Sequence, residues 1–335
     1  MGWFAEFSLF FAKALTLVVA IGAVITLIAA ASRRQQSSET LRVEKLNNKY
    51  RDVTNQLRAA VSDPATRKAL KKQRKAEAKA DKKNPESRAR TYVVDFKGDI
   101  KANAVSSLRE EVSTILAVAN DGDDVVIRLE NPGGVVHEHG LAAAQLARLR
   151  DAQVPLTVVV DKVAASGGYL MACIANEIVA APFAIVGSIG VIAQMPNFHR
   201  LLDEKGVDFE QVTAGKYKRT VTMFGKNTDE DRAKLKEELE EIHVLFKDVV
   251  TRYRPSLDVE RVATGEHWYG TQALEMGLID KISTSDGLLT DSFEDRDVFT
   301  VKYEIRQPLP QKLMGAVDGA IARAMEGMMR WWPGK

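Results

Sequence analysis

Apolar and polar positions change rhythm along this chain, and each rhythm predicts a different kind of element. Between Ala14 and Ser32, 19 residues pass without a charge, bounded by Lys13 on one side and by Arg33 and Arg34 on the other. A run of that length spans a bilayer as one helix. Ala29, Ala30 and Ala31 have the small side chains of a leader cleavage site, but Glu6 and a single Lys13 make a poor basic start, so an uncleaved anchor is the better reading. Next, Leu46, Tyr50, Val53, Leu57 and Ala60 recur at spacings of four and three. That is the stripe of a helical stalk or self-association seam, or of a lone helix lying on the body. From Arg67 to Arg90 the chain carries 11 Lys or Arg against 3 Asp or Glu, and no large aliphatic follows Leu70. This reads as a solvated basic linker, with more affinity for anionic head groups than for bases, since it has no aromatic residue to stack on them.

From Thr91 the rhythm alternates between short β-branched runs and longer stretches of helical period. Tyr92 to Phe96, Asp124 to Glu130, Leu156 to Val160 and Glu177 to Ala181 are predicted strands, and Val186 to Ile192 is strand-like. Ala104 to Ala119, Glu138 to Arg150, Tyr169 to Ala175 and Asp229 to Tyr253 are predicted helices. Gly270 to Ile282 reads as a short helix closed by Gly277 and leading into a last strand. Strand, helix, strand, helix, strand predicts a largely parallel α/β core. After Gln311 apolar residues at helical spacing, ending in Trp331 and Trp332, form an amphipathic tail.

Composition narrows the chemistry. The 335 residues are 45% hydrophobic with a formal charge of +2, too balanced for a nucleic-acid-seeking surface overall. Charge is nonetheless uneven around the apolar run: Arg33, Arg34, Arg42, Lys45 and Lys49 follow it, and this bias places the body on the cytoplasmic side. The single cysteine, Cys173, excludes an internal disulfide and a thiolate zinc cluster, and it falls within an apolar helix as a core residue. His137 and His139 have some flavour of a metal pair but no visible third ligand, and they read as surface-loop residues.

One turn carries nucleophilic chemistry. The apolar run ending at Val160 passes through Ala164 and Ala165 to Ser166, Gly167 and Gly168 before the next helix. A serine at a strand-to-helix turn, flanked by small residues, is open to close approach by a substrate. Helix capping is the plainer role for it. Asn131, Pro132, Gly133 and Gly134 close another strand, and if that turn lies beside Ser166 its amides can hold an oxyanion. A serine also needs a base. A Ser-His-Asp arrangement would best use His199 among the five histidines, none of which is marked by a carboxylate.

These motifs occur in a specific order: Asp95 to Gly98 (DFKG), Asn131 to Gly134 (NPGG), Asp161 to Tyr169 (DKVAASGGY), Gly187 to Ile192 (GSIGVI), Ala214 to Lys218 (AGKYK) and Gly270 to Asp280 (GTQALEMGLID). In that order the chain resembles the signal peptide peptidase A family of serine proteases, and within it the SohB-like branch, which pairs one protease domain with an N-terminal membrane anchor. The resemblance implies an α/β, ClpP/crotonase-like fold with an N-terminal transmembrane helix. It divides the chain into an anchor (1–34), a helical stalk and basic linker (35–90), a serine protease domain (91–290) and a C-terminal strand with an amphipathic tail (291–335). It implies Ser166 as nucleophile, Lys218 as general base, and Gly133, Gly134 and Gly167 as the oxyanion and substrate-binding glycines, with no cofactor or metal. Lys216 is the reserve base and Lys162 a weaker one. The implied function is a membrane-anchored endopeptidase acting on peptides such as signal-peptide remnants, assembled as a homo-oligomer at the inner membrane, without nucleic acid. The family's association with exported proteins opposes the charge bias, which leaves the side of the membrane open. An acyl-CoA enzyme of crotonase type shares the fold, and a non-catalytic membrane scaffold is the third reading.

Overall fold

The computed structural model describes residues 16, 39–69, 71–72 and 88–305. The expected anchor, apart from Thr16, most of the basic linker and the amphipathic tail lie outside the described residues. Among the described residues no helix is long and apolar enough to cross a membrane. The chain divides into two compact units, 42–302 and a second made of 1–41 with 303–335, and the residues of the candidate site all belong to the first.

The elements in chain order are β1 (Glu39–Lys45), α1 (Leu46–Val61), β2 (Arg90–Lys97), α2 (Val105–Val118), β3 (Asp124–Glu130), α3 (Val136–Asp151), β4 (Leu156–Val160), β5 (Val163–Ala165), α4 (Gly167–Ala172), β6 (Glu177–Ala180) and β7 (Ile185–Gly187). They continue with α5 (His199–Glu204), α6 (Asp229–Tyr253), α7 (Val259–Val262), β8 (His267–Tyr269), α8 (Gly270–Glu275), β9 (Lys281–Ile282), α9 (Ser285–Ser292) and β10 (Asp297–Ile305). A seven-stranded sheet runs β1-β10-β2-β3-β4-β6-β9, and a three-stranded sheet runs β5-β7-β8. From β10 to β9 every neighbouring pair in the large sheet is parallel. In the small sheet β5 and β7 are parallel, whereas β8 returns antiparallel. The α/β class expected from the strand and helix alternation is the one observed.

The period-2 geometry of strands explains why these runs are almost wholly apolar. Tyr92, Val94, Phe96, Val125, Ile127, Leu129, Val158 and Val160 point into one core, whereas Val93, Val126, Val159 and Val179 point into another. A parallel sheet covered on both faces needs apolar side chains at successive positions. The larger core is closed by Leu108, Val112 and Ile115 of α2 and by Leu146 and Leu149 of α3, at the three- and four-residue spacings of a helix face. Leu46 and Leu289 close the smaller one. The compact body therefore begins well before Thr91. Asn47 accepts from Val298 N at 2.8 Å and donates to Arg296 O at 2.8 Å, fixing the start of α1 to β10. Beyond that point the stripe emerges, with Val53 and Leu57 exposed.

Two expectations are corrected. The strand-like reading of Val186 to Ile192 holds only for Ile185–Gly187, because Gly187 has φ 103° and Ser188 φ 52°, which turn the chain out of extended geometry. The strand after Gly277 is only Lys281–Ile282, and the last described strand is β10. The 25-residue α6 matches its expected bounds. Thr228 and Asp231 form a reciprocal capping box at its start, with Asp229, Glu230 and Asp231 in the first turn.

One ion pair ties the far end of α6 to the sheet. Arg254 donates to both oxygens of Asp280, at 2.6 and 2.7 Å, and to Gly277 O at 3.3 Å, while Asp280 accepts from Ile178 N of β6 at 2.8 Å. Burial raises the cost of ionising Asp280, but the Arg254 hydrogen bonds outweigh it and hold the carboxyl below its usual range. We predict that Asp280→Asn lowers stability at pH 7 by about 2–4 kcal/mol, because Arg254 is left buried without its counter-charge. A carboxyl whose folded pKa is depressed contributes fully above its unfolded value of ~3.9 and loses that contribution as pH falls through the lower folded value. Thermal unfolding of the detergent-solubilised protein should therefore separate wild type and Asp280→Asn at pH 7, and the gap should begin to close only as pH falls below about 4.

Candidate active site

Ser166 lies between β5 and α4, where the chain leaves the small sheet. Its backbone is at φ 52° and ψ −120°, a conformation that costs a non-glycine residue about 1–3 kcal/mol. The surroundings enforce it: Ser166 N donates to Gly187 O at 2.8 Å, and Ser166 O accepts from Leu170 N at 3.0 Å. Strand pairing thus holds one side of the serine and helix closure holds the other. The helix behind it is largely core, with Tyr169, Met171 and Ala172, and Cys173 just after it, inaccessible to solvent. Tyr169 Oη donates to Leu278 O at 2.9 Å. Burial pushes the Cys173 thiol up to about 12, and Cys173 Sγ donates to Leu170 O at 3.2 Å, so it is an inert packing residue.

The turn after β3 does lie beside the serine. A Cβ on Gly133 would stand 2.8 Å from Ser166 Cβ and 3.0 Å from Gly167 N, and Gly133 has φ 92°, so only glycine suits both the space and the backbone. Gly133 N is not an open donor, however, since it gives its proton to Asn131 Oδ1 at 2.9 Å. Among the described residues the amides of Gly134 and Gly167 have no hydrogen-bond partner. Of the three expected glycines, Gly133 shapes the turn while the other two keep free N–H groups.

The expectation that His139 is a surface residue is corrected. His137 is exposed and sits 3.8 Å from the Glu138 carboxylate, but His139, two residues further into α3, is completely buried. Helix period explains the difference, because 139 shares the inward face with Ala142, Ala143 and Leu146. Its ring reaches Val135 O through Nδ1 at 3.0 Å and Asn131 Oδ1 through Nε2 at 3.2 Å. Neither Asn131 nor His139 stood out in the sequence as part of the site. The periodicity of α3 was the available signal for the histidine.

Ser166 opens onto an apolar pocket of roughly 170 Å³. Val136, Leu170 and, from α6, Ile242, Leu245, Phe246 and Val249 are among the residues that line it. Ser166 and His139 supply its polar atoms apart from backbone.

None of the expected bases is hydrogen-bonded to Ser166 among the described residues. Lys218 is exposed in a stretch without regular secondary structure, its backbone N donating to Gly215 O at 3.2 Å, and among the described residues no hydrogen bond joins it to Ser166. Lys216 pairs with Glu230 at 3.0 Å, and the Tyr217 hydroxyl and that carboxylate raise its pKa, the wrong direction for a base. Lys162 pairs with Glu130 at 3.0 Å on the surface. His199 starts α5, and no hydrogen bond links its ring to the serine among the described residues. Among the described residues no group of His, Cys, Asp or Glu converges as a metal site.

Comparison with known proteins places these features in context. The family model described as Peptidase family S49 N-terminal matches residues 2–146, and the one described as Peptidase family S49 matches residues 148–298. The Probable protease SohB of Haemophilus influenzae is 44% identical over 319 residues, covering 91% of this chain and 90% of that protein. Its namesake from Buchnera aphidicola subsp. Acyrthosiphon pisum is 43% identical, with 97% of each chain covered. Among solved structures, 1510-N membrane-bound stomatin-specific protease in complex with a substrate peptide is similar at 14% identity and a TM-score of 0.44, over 69% of this chain and 98% of that one.

The site's tightest tolerance is at Gly168, where an added Cβ would overlap the carbonyl oxygen of Asn131, a backbone atom that cannot swing away. Gly168→Ala is expected to destabilise the protein by about 2–3 kcal/mol, the cost of forcing an extra carbon into a packed core. Gly140→Ala, in open space inside α3, is the control and should raise stability by about 0.5–1 kcal/mol, because alanine loses less backbone freedom in a helix. Urea denaturation of the two variants against wild type checks both.

Proposed function

The chain belongs to peptidase family S49, and from that premise we propose that it is a membrane-anchored serine endopeptidase of ClpP/crotonase-like fold that cleaves peptides through a Ser166–Lys218 dyad. The observation that carries the reading is the position of Ser166: strained, beside two free glycine amides, and facing an apolar pocket. In the first step Ser166 Oγ attacks the scissile carbonyl carbon and passes its proton to the neutral Lys218 amine. The carbonyl oxygen becomes an oxyanion held by the N–H groups of Gly134 and Gly167, each worth about 3 kcal/mol to the transition state. Collapse breaks the C–N bond, the leaving amine takes the proton back from Lys218, and an acyl-enzyme remains. Water then attacks the ester, again with Lys218 as base, to release the acid and restore the serine.

A lysine acts as a base only in its neutral form, which burial away from carboxylates favours. Lys218 is carried on an arm whose large apolar side chains stand open to solvent, Ile192, Phe198, Leu201, Val207, Val212 and Phe224 among them. Cover for such a surface supports the homo-oligomer, since soluble monomers rarely expose contiguous patches of this kind. Covering the arm would also take Lys218 out of bulk solvent. The apolar pocket supports extended, apolar substrates such as membrane-derived peptides or signal-peptide remnants. The uncharged run from Ala14 to Ser32 supports anchoring in the inner membrane.

Reaction of the detergent-solubilised full chain with a fluorophosphonate probe tests the dyad. Wild type and Lys216→Ala should label, Ser166→Ala should not, and Lys218→Ala should label at least 100-fold more slowly, within the range expected for loss of a general base. Labelling that survives Ser166→Ala would sink the reading.

A further inference from the structure

His139 is a buried imidazole that the dyad mechanism leaves without a task. Its ring lies between the two parts of the chain that carry the free amides. On one side Nε2 stands 3.2 Å from Asn131 Oδ1. The same oxygen accepts the Gly133 amide at 2.9 Å, so the turn bearing Gly134 is connected to the ring through one atom. On the other side the ring lies directly against Gly167, where an added Cβ would stand 2.5 Å from His139 Cγ. The two amides belong to segments more than 30 residues apart in sequence. A bridge between such segments sets their separation better than either loop can alone.

A residue needed only for filling would do this without polar atoms. His139 instead has both ring nitrogens within hydrogen-bond distance of an oxygen, Val135 O at the start of α3 and Asn131 Oδ1. Both oxygens are acceptors and a neutral imidazole carries one N–H; in the Nε2–H tautomer that proton goes to Asn131 Oδ1, which also accepts from Gly133 N, and Nδ1 only abuts Val135 O. Asn131 is held in turn through its remaining groups: its backbone N donates to Val163 O at 2.8 Å, its backbone O accepts from Ala165 N at 3.0 Å, and Nδ2 points at Met171 Sδ at 3.3 Å. The amide plane cannot turn without giving up contacts on both sides.

We propose that His139, acting through Asn131 and against Gly167, is a positioning residue that fixes the spacing of the Gly134 and Gly167 donors. This deepens the serine-peptidase reading and rests on it. The requirement is for a side chain of this length that donates to Asn131; a Leu of similar bulk fills the space and leaves Asn131 Oδ1 with one donor fewer.

The test uses the detergent-solubilised full chain and two probes. A peptide aldehyde ending in an apolar residue forms a hemiacetal on Ser166 whose oxygen needs both amides, and the matching peptide alcohol occupies the same pocket without forming one. In His139→Leu, aldehyde affinity should fall by about 10- to 100-fold, the scale of a misplaced oxyanion donor. Alcohol affinity should stay within about twofold, kcat should fall with little change in KM, and His139→Gln should recover most of the loss. Unchanged aldehyde affinity in a folded His139→Leu protein, or equal losses for both probes, overturns the proposal. Should these variants not fold, 15N-histidine-labelled wild type gives the answer: the solvent-protected imidazole signal should shift with the aldehyde and not with the alcohol, and a signal that stays still overturns it. Wild type that binds the aldehyde no more tightly than the alcohol would instead overturn the serine-peptidase reading, and this inference with it.

Discussion

The candidate site depends on how Asn131 is satisfied. It is fully buried, and in such a place each unpaired polar group costs about 1–3 kcal/mol. Its backbone pairs with Val163 and Ala165, forming the single parallel bridge by which the end of β3 meets β5. Its side chain accepts from Gly133 and contacts His139 and Met171. One residue thus joins the large sheet to the small one, orients the glycine turn and abuts the helix that follows Ser166. Gly98 and Gly168 are the space it needs, since a Cβ at either would overlap it.

Strain at Ser166 follows from this joint. The chain enters the serine from β5, which is held parallel to both Asn131 and β7, and leaves it as a helix that must bury Tyr169 and Met171. Those two demands leave one backbone geometry, with φ in the left-handed region. The core behind α4, the Tyr169 contact to Leu278 and the Arg254–Asp280 pair offset its cost. The arm that carries Lys218 has no comparable support: it has few buried side chains and largely local hydrogen bonds. In the single chain the proposed nucleophile, Ser166, is held by the fold and the proposed base is not.

The sequence by itself determined the α/β class, most strand and helix bounds, and the position of the serine turn. These are local consequences: period 2 against period 3.6, β-branched runs, capping residues and glycines at turns, all legible over a few neighbouring positions. Motif order added the family, because several short patterns in sequence are far more specific than one. Tertiary structure decided which groups meet. It took Gly133 out of the set of free donors, buried His139 against Gly167, drew Leu46 into the sheet's second core, and left Lys218 without a bond to Ser166. The first is a bond across only two residues, set by how the buried Asn131 side chain is held; the others depend on contacts between residues distant in sequence, where partners and available volume are set by packing, and local pattern carries no record of them.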